Sequence, residues 1–300
     1  MRAVRLEANP IICPEMLQGD DGANINGPSL ISAPDWLPGR LGRYYLYFAH
    51  HAGKYIRLAI ADDLAGPWRV HGPGTLRLED TPCWGHVASP DVHVLNDARE
   101  VRMYFHGPVR NDAGEITGQF TFAARSQDGL SFKVCTEALG PSYFRVLEWG
   151  GRHHALCRGG QFLCSRDGLT AFEQGPNPFR FEEGIVLRHA AVQVRDDALR
   201  VFYSRIGDAP ERILLSEIGL AADWHRWTAS PPVTVLEPAE PYEGADRPIE
   251  SSVGGLAGGP VRQLRDPAIH EEDGRTYLLY SVAGESGVAV AALVESPALR

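Results

Sequence analysis

The sequence predicts an all-β fold, a five-bladed β-propeller whose ring is closed by an N-terminal strand. Two observations carry this prediction. A polar residue stands 14 positions before an aromatic strand residue in three places: Asp266 before Tyr280, Asp91 before Phe105 and His189 before Tyr203. The turn sequence Ser-x-Asp-Gly-Leu occurs twice, at residues 126–130 and 165–169. A fixed offset and a recurring turn indicate one hairpin unit built several times.

The composition suits many turns rather than long helices. The 300 residues include 32 glycines and 22 prolines, and 44% of the residues are apolar. This length is normal for one large all-β domain, so we expect a single domain over residues 1–300. An ordinary β-sandwich is the alternative, but it does not explain the constant offset.

Strand-forming runs divide the chain into five units, spaced by about 45 to 75 residues. The first three units are predicted to hold strands at residues 24–32, 44–48, 56–61 and 75–78, at 91–95, 101–105 and 119–124, and at 144–147, 153–157 and 161–164. The last two are predicted to hold strands at 190–194, 199–203 and 212–215, and at 268–270, 276–280 and 288–293. The fifth unit lacks an outer strand, and the isolated strand 3–6 is predicted to supply it and so remove an exposed edge.

Charge and cysteine usage argue against several classes of protein. The net charge of −9 argues against a nucleic-acid surface. The chain has no apolar run of about 18 residues, so we expect no membrane span, and its start lacks the apolar run of a signal peptide. The five cysteines are odd in number and lack C-x-x-C spacing. They favour reduced thiols in a cytoplasmic protein over a disulfide framework or a zinc site.

The inner strands of a propeller start around one mouth of the ring. The 14-residue offset, with Gly27-Pro28 aligned to Asp266-Pro267, places five residues at these starts: Gly27, Asp91, Tyr143, His189 and Asp266. Polar neighbours precede several of them: Asn26, Arg188 and Arg265. Burying this set unpaired would be costly, so the mouth is the candidate site. The structural alternative is that the two aspartates pair with the arginines and only cap the axial hole.

Two carboxylates around one sugar ring are the groups that glycoside cleavage needs. We therefore expect Asp266 and Asp91 to face one sugar ring, with Asp266 as base or nucleophile. The long connection between the fourth and fifth units offers Glu243 or Glu250 as the acid, with Asp246 as a further substrate-binding residue. The alternative for this connection is a solvated acidic loop.

Other residues suit substrate binding. Near neutral pH His189 can be a general acid or base, a metal ligand or a structural histidine, and His86 is expected on the rim. Forked hydrogen bonds to a carboxylate or phosphate of the ligand are expected of three arginines: Arg145, Arg188 and Arg265. These nearby positive charges disfavour a divalent ion, so we expect no tightly bound metal and no cofactor.

These motifs resemble those of the five-bladed propeller glycoside hydrolases, notably families 43, 32 and 130. Arg265-Asp-Pro-Ala-Ile and the following hairpin resemble their Asp-Pro strand, and Ala88-Ser-Pro-Asp-Val resembles a family 43 strand whose Asp tunes the acid and orients the substrate. The resemblance covers the whole chain at the level of blades and implies the fold, a carbohydrate substrate and the role of Asp91. In two places the sequence departs from family 43: Gly27-Pro28 stands where the base is usually Asp-Pro, and the third-blade acid Glu has no clear match.

The sequence thus favours a cytoplasmic enzyme that hydrolyses small glycosides or oligosaccharides, neutral or anionic. Three alternatives use the same mouth. Arginines and His189 could hold phosphate for phosphorolysis, Tyr143 and His189 could be the acid and base of a uronate lyase, or the propeller could bind sugar without catalysis. Two or three carboxyls converging on the mouth would favour hydrolysis, whereas arginines without a free acid would favour phosphate or a uronate.

Overall fold

The structure is a computed structural model that describes residues 1–295. Its first strand, β1 (Arg2–Arg5), belongs to the last blade. The first two blades are β2 (Asn26–Ser32), β3 (Tyr44–Ala49), β4 (Arg57–Ala61) and β5 (Arg69–Val70), and then β6 (Ala88–Leu95), β7 (Glu100–Arg110), β8 (Ile116–Ser126) and β9 (Lys133–Pro141). The third blade is β10 (Arg145–Trp149), β11 (Arg152–Leu156), β12 (Phe162–Ser165) and β13 (Glu173–Gln174). The last two are β14 (Val186–Arg195), β15 (Ala198–Ile206), β16 (Ile213–Gly219) and β17 (Val233–Leu236), and then β18 (Arg265–Glu272), β19 (Arg275–Ser281) and β20 (Val288–Val294).

Each blade is a four-stranded sheet in which every neighbouring pair is antiparallel. Blade 5 reaches four strands because β1 pairs with β20, with Arg2 opposite Val294 and Arg5 opposite Ala291. This pairing removes the open edge that β20 would otherwise present. The predicted five-bladed propeller and its closure by an N-terminal strand are both confirmed.

The core is divided into five apolar clusters, one in each wedge between neighbouring blades. The wedge between blades 1 and 2, for example, contains Tyr45 and Leu58 from one side and Met103 and Phe122 from the other, all buried. The other clusters join blades 2 to 3, 3 to 4, 4 to 5 and 5 to 1. The hydrophobic residues therefore hold the blades to one another around the ring, and the axis is left to other side chains.

The Ser-x-Asp-Gly-Leu turns have a structural reason that links one blade to the next. In blade 2, Oδ1 of Asp128 accepts the backbone N–H groups of Leu130 and Ser131 at 2.8 Å each, and Gly129 adopts a left-handed φ of +71°. Its carbonyl accepts the hydroxyl of Tyr47 from blade 1 at 2.7 Å. One blade further on, the same arrangement is made by Asp167, Gly168 and Tyr104. Each turn is thus a docking point for the preceding blade.

Four of the five inner strands shift their register close to where they begin: β2, β6, β14 and β18. In three of them the bulge contains a residue with left-handed φ, namely Gly27, Ser89 and Asp266. Such bulges re-aim side chains, and here they do so around the propeller axis.

Two smaller findings complete the fold. The predicted strand at residues 75–78 is wrong, because the fourth strand of blade 1 is the two-residue β5. Among residues 1–295 no helix is both long enough and apolar enough to span a membrane.

Candidate active site

A cavity opens on the axis at the end of the ring where the inner strands begin. We call this cavity the mouth and define it by six of its lining side chains: His51, His86, His106, Tyr143, Arg158 and His189. Beyond the bulges, a second cavity runs along the inner strands, and we call it the axial channel. Its lining includes Asp91, His93, Arg145 and Gln193.

Asp266 contacts His189, a residue that lines the mouth, and connects three blades. It is 1% exposed. Its Oδ2 accepts the hydroxyl of Ser281 at 3.0 Å and the backbone N–H of Gly27 at 3.3 Å, and its Oδ1 contacts Nδ1 of His189. Because the contact to His189 crosses from blade 5 to blade 4, the pair is fixed by the packing of the ring. It has the arrangement in which a carboxylate sets the orientation of an imidazole.

The pKa values of this pair indicate which member carries the charge. Burial lowers the pKa of His189, and the opposing charge of Asp266 does not fully compensate. Burial raises the pKa of Asp266, but His189, Arg265 and the Ser281 hydrogen bond outweigh it, so the pKa of this carboxyl lies below its usual range. At neutral pH the pair is therefore an ionised Asp266 beside a neutral imidazole that can accept a proton.

Tyr143 stacks on His189, with ring centroids 4.4 Å apart and an angle of 29° between the planes. Its hydroxyl is buried and has no hydrogen-bond partner among the described residues. Burial, and then the charge of Asp266, raise the pKa of Tyr143 well above its ordinary value. The phenol thus stays protonated at neutral pH, and its O–H has no acceptor among the described residues.

Three further histidines continue this row of rings. His106 lies 5.3 Å from Tyr143, His86 lies 6.4 Å from His106, and His51 lies 6.3 Å from His86, measured between ring centroids. Burial lowers the pKa of both His86 and His106, so these rings are neutral at pH 7. Within residues 1–295, no group of three or more His, Cys, Asp or Glu side chains is arranged to hold a metal ion.

The three arginines predicted to bind the ligand are committed to partners within the protein. Nε of Arg188 donates to Glu211 at 2.8 Å, and its other nitrogens donate to the carbonyls of Val253 and Gly255. Arg265 pairs with Glu211 at 3.2 Å and with Glu285 at 3.0 Å. The side chains of both arginines and of both glutamates are almost fully buried. Arg188 lines the mouth, but its hydrogen bonds are used to hold the 253–255 backbone beside it.

Arg145 is also used internally, and it does not line the mouth. Its guanidinium donates to the carbonyls of Ala190, Pro90 and Phe144, at 3.0, 3.3 and 3.2 Å. It lines the axial channel instead. The prediction that Arg145, Arg188 and Arg265 fork onto a ligand is therefore corrected.

Asp91 lies in the axial channel, so its predicted place at the mouth is wrong. The hairpin between β6 and β7 turns through residues 96–99, whereas the one between β18 and β19 turns through 273–274 only. Counting 14 residues back from the second strand therefore places Asp91 two residues too deep. The residue of blade 2 that corresponds to Asp266 is Ser89, which lines the mouth.

Gly27 occupies the corresponding position in blade 1, where the backbone conformation and the neighbouring strand leave little room for a side chain. Its φ is +58°, and a Cβ atom there would lie 3.2 Å from the Cα of Ser89. The neighbouring Asn26 lines the mouth as predicted, and its amide donates to Oδ1 of Asn24 at 2.9 Å. His86 also lines the mouth, as predicted.

The structure does not bring the acidic connection to the mouth. Glu243 is fully buried, and its carboxylate accepts Nε of Arg5 at 2.8 Å and the hydroxyl of Tyr280 at 2.9 Å. Asp246 and Glu250 are exposed, and Glu250 lines a separate surface cavity. None of these three carboxylates lines the mouth, so Glu243 and Glu250 as the acid, and Asp246 as a substrate contact, are corrected.

Sequence reasoning missed three residues of the mouth: His51, His106 and Arg158. His51 follows β3 and His106 lies in β7, and both are second strands that run back toward the end where the inner strands begin. Arg158 lies in the turn between β11 and β12. The sequence did contain a signal for His51 and His106, because in an antiparallel hairpin the second strand ends beside the start of the first strand.

Comparisons with known proteins agree with this architecture. No protein-family model matches the sequence. A family 43 β-xylosidase/α-arabinofuranosidase from a compost microbial metagenome, in complex with xylotriose, has a TM-score of 0.63 and 14% identity, over 98% of this chain and 96% of that one. A family 43 enzyme from Xanthomonas citri, with xylose, has a TM-score of 0.61 and 13% identity, over 92% and 89%. An N-acetylgalactosamine deacetylase from F. plautii, in complex with blood group B trisaccharide, has a TM-score of 0.66 and 11% identity, over 97% and 95%.

At these identities the solved structures establish a shared fold, which is the propeller of the family 43 enzymes that the motifs resembled. A sequence relative is more similar. An uncharacterised protein of Acanthamoeba polyphaga mimivirus is 37% identical over 97% of this chain and 90% of its own length. The chain therefore belongs to the same protein family as this mimivirus protein.

Proposed function

We propose that the protein is an enzyme that cleaves small glycosides at the mouth, with His189 moving the proton. The observation that carries this proposal is the contact between His189 and the buried Asp266. A carboxylate at Nδ1 fixes the tautomer of the ring, so that Nε2 is the atom that accepts a proton. The lowered pKa of His189 keeps the ring in the accepting form at neutral pH.

Hydrolysis needs an acceptor for the proton of the attacking water and a donor for the leaving oxygen. The water oxygen forms a bond to the anomeric carbon while the bond to the leaving oxygen breaks with its electron pair. His189 takes the water proton, and Asp266 stabilises the imidazolium that forms. Tyr143, whose hydroxyl is unpartnered, is a suitable donor to the leaving oxygen.

The lack of carboxylates among the described mouth residues favours elimination as a second candidate. Of the described residues that line the mouth, none is an aspartate or a glutamate, so the two-carboxylate route lacks its usual groups. In elimination, His189 removes a proton from a sugar carbon, the C–H electron pair forms a double bond, and the adjacent C–O bond breaks. Tyr143 then protonates the leaving oxygen, and no second acid is required.

The structural neighbours support a carbohydrate ligand and leave the reaction open. The two family 43 structures contain xylotriose and xylose. By name, one of these proteins is a glycosidase and the F. plautii protein is a deacetylase. One fold can host several chemistries, so the reaction must be argued from the residues of the mouth.

The test is a screen of aryl glycosides, with and without phosphate, using the wild type and His189→Gln. We expect phosphate-independent release of the aryl group, reduced at least about a hundredfold in His189→Gln, because positioned acid–base groups contribute that much. Thermal melting checks that the variant is folded. Release that requires phosphate would favour phosphorolysis, and a product with a new carbon–carbon double bond would favour elimination. Sugar binding without turnover would identify a binding propeller.

The cellular location is a separate part of the proposal. All five cysteines carry free thiols in the structure, which supports a reducing compartment such as the cytoplasm. Fractionation of the native host with an antibody to the protein would check this.

A further inference from the structure

Among the described residues that line the mouth, Arg158 is the arginine whose positive charge is not used inside the protein. It lies in the tight turn Arg158–Gly160 between β11 and β12, and this turn contacts β14. Its side chain is exposed and lines the mouth beside His189. Within residues 1–295, its guanidinium has no carboxylate at ion-pair distance and no hydrogen-bond acceptor, in contrast to Arg188 and Arg265.

A second, independent feature lies next to this charge. The hydroxyl of Tyr143 is buried without a hydrogen-bond partner. Tyr143 and Arg158 line the same cavity, the mouth. The guanidinium and the phenolic O–H are thus hydrogen-bond donors of one cavity for which the described residues supply no acceptor.

The other groups of the mouth restrict what this acceptor can be. His86 and His106 have lowered pKa values because of burial, so they add no positive charge at neutral pH. One free guanidinium suits a singly charged carboxylate, which it binds through two parallel hydrogen bonds. A phosphate dianion would retain excess negative charge in such a site.

We propose that the substrate is an anionic sugar of the uronic acid class, and that Arg158 binds its carboxylate. This inference rests on the proposed function, since it names the class of carbohydrate that enters the same mouth. The carboxylate lies against Arg158, and this fixes the sugar ring beside Nε2 of His189 while the hydroxyl of Tyr143 stays free to donate to the leaving oxygen. The arginine fork that the sequence suggested is thus present, but at a different residue.

The test compares the binding of free uronates with that of the matching neutral hexoses by calorimetry. The ligands are glucuronate with glucose and galacturonate with galactose, and inorganic phosphate is a separate arm. The proteins are the wild type, Arg158→Gln and the control Arg166→Gln. Arg166 is an exposed arginine of the same blade, in the turn after β12, and does not line the mouth.

We expect the wild type to bind one uronate at least about tenfold more tightly than its neutral partner, as a charged hydrogen bond provides. Arg158→Gln should remove this preference and leave the affinity for the neutral sugar unchanged, while Arg166→Gln should match the wild type. Equal affinity for uronate and hexose, or an equal loss of both in Arg158→Gln, would overturn the inference and leave the proposed function standing. Phosphate binding that depends on Arg158, without uronate binding, would assign the site to phosphate. Failure of the wild type to bind any sugar would overturn the proposed function and this inference together.

Discussion

Two aspartate–histidine pairs lie near the axis among residues 1–295, and they differ in what surrounds them. At the mouth, Asp266 contacts His189 across two blades, and the carboxylate is 1% exposed. In the axial channel, Asp91 pairs with His93 of the same strand at 2.9 Å, and the side chain of that histidine is 35% exposed. The same two residue types are thus held between blades in one place and along one strand in the other.

The neighbours of each pair determine what it can do. His189 stacks on Tyr143 and faces the mouth, so a proton that it accepts can come from a ligand. Oδ2 of Asp91 also accepts the backbone N–H of Val146 at 2.8 Å. This hydrogen bond joins blade 2 to blade 3. In the proposed function the mouth pair therefore carries the chemistry, whereas the channel pair joins neighbouring blades of the ring.

The largest expected effect is on turnover. Asp266→Asn keeps the size of the side chain but removes the charge that fixes His189, so turnover should fall at least about a hundredfold. Asp91→Asn should change turnover by less than about threefold, because its partner does not face the mouth. Steady-state kinetics on the glycoside found in the screen measures both variants. Equal losses in the two variants would contradict the distinction between the pairs.

The stability of the fold should depend on Asp91, although the turnover should not. Asp91→Ala leaves the N–H of Val146 without its acceptor, so the free energy of unfolding should fall by about 1–3 kcal/mol. His93→Gln is the matched control, because its partly exposed ring should contribute within about 0.5 kcal/mol. Urea denaturation measures both values. If His93→Gln lost as much stability as Asp91→Ala, the blade-joining role of Asp91 would have to be abandoned.

The smallest expected effect is on the pH dependence of turnover. Burial lowers the pKa of His189, so the ring remains a proton acceptor as the pH falls to the ordinary histidine value of about 6.5, and loses that ability only below it. In the pH profile of kcat/KM, the acidic limb of the wild type should therefore have its midpoint below about pH 6.5. Asp91→Asn should leave this midpoint in place. A midpoint above pH 7, measured with buffers of constant ionic strength, would show that the proton acceptor is not His189.

The fold could be predicted because its sequence signals have direct structural causes. The Ser-x-Asp-Gly-Leu turn recurs because Asp128 and Asp167 each cap a turn whose glycine carbonyl receives a tyrosine from the preceding blade. The strand 3–6 could be assigned to the last blade because that unit lacked an outer strand. These are local patterns, and a single sequence records them.

The site could be predicted only in part, because it depends on turn lengths and side-chain partners that the repeat pattern of the sequence does not record. The offset placed Asp266, His189 and Tyr143 correctly at one end of the ring. It misplaced Asp91, because the first hairpin of blade 2 has a longer turn than that of blade 5. It also could not tell that Arg188 meets Glu211, a residue of its own blade, whereas Arg158 remains free.

Closure of the ring by β1 links the folding of the protein to its synthesis. β1 is made before the other four blades, yet its partner β20 is among the last strands to be completed. Pairing across such a separation is slow, since the chain entropy must be lost before the contact forms. Arg5 must also reach the buried Glu243 in the connection before β18. Until then β20 presents a bare strand edge that can recruit another chain, so the yield of soluble protein should depend on how quickly residues 2–5 find it.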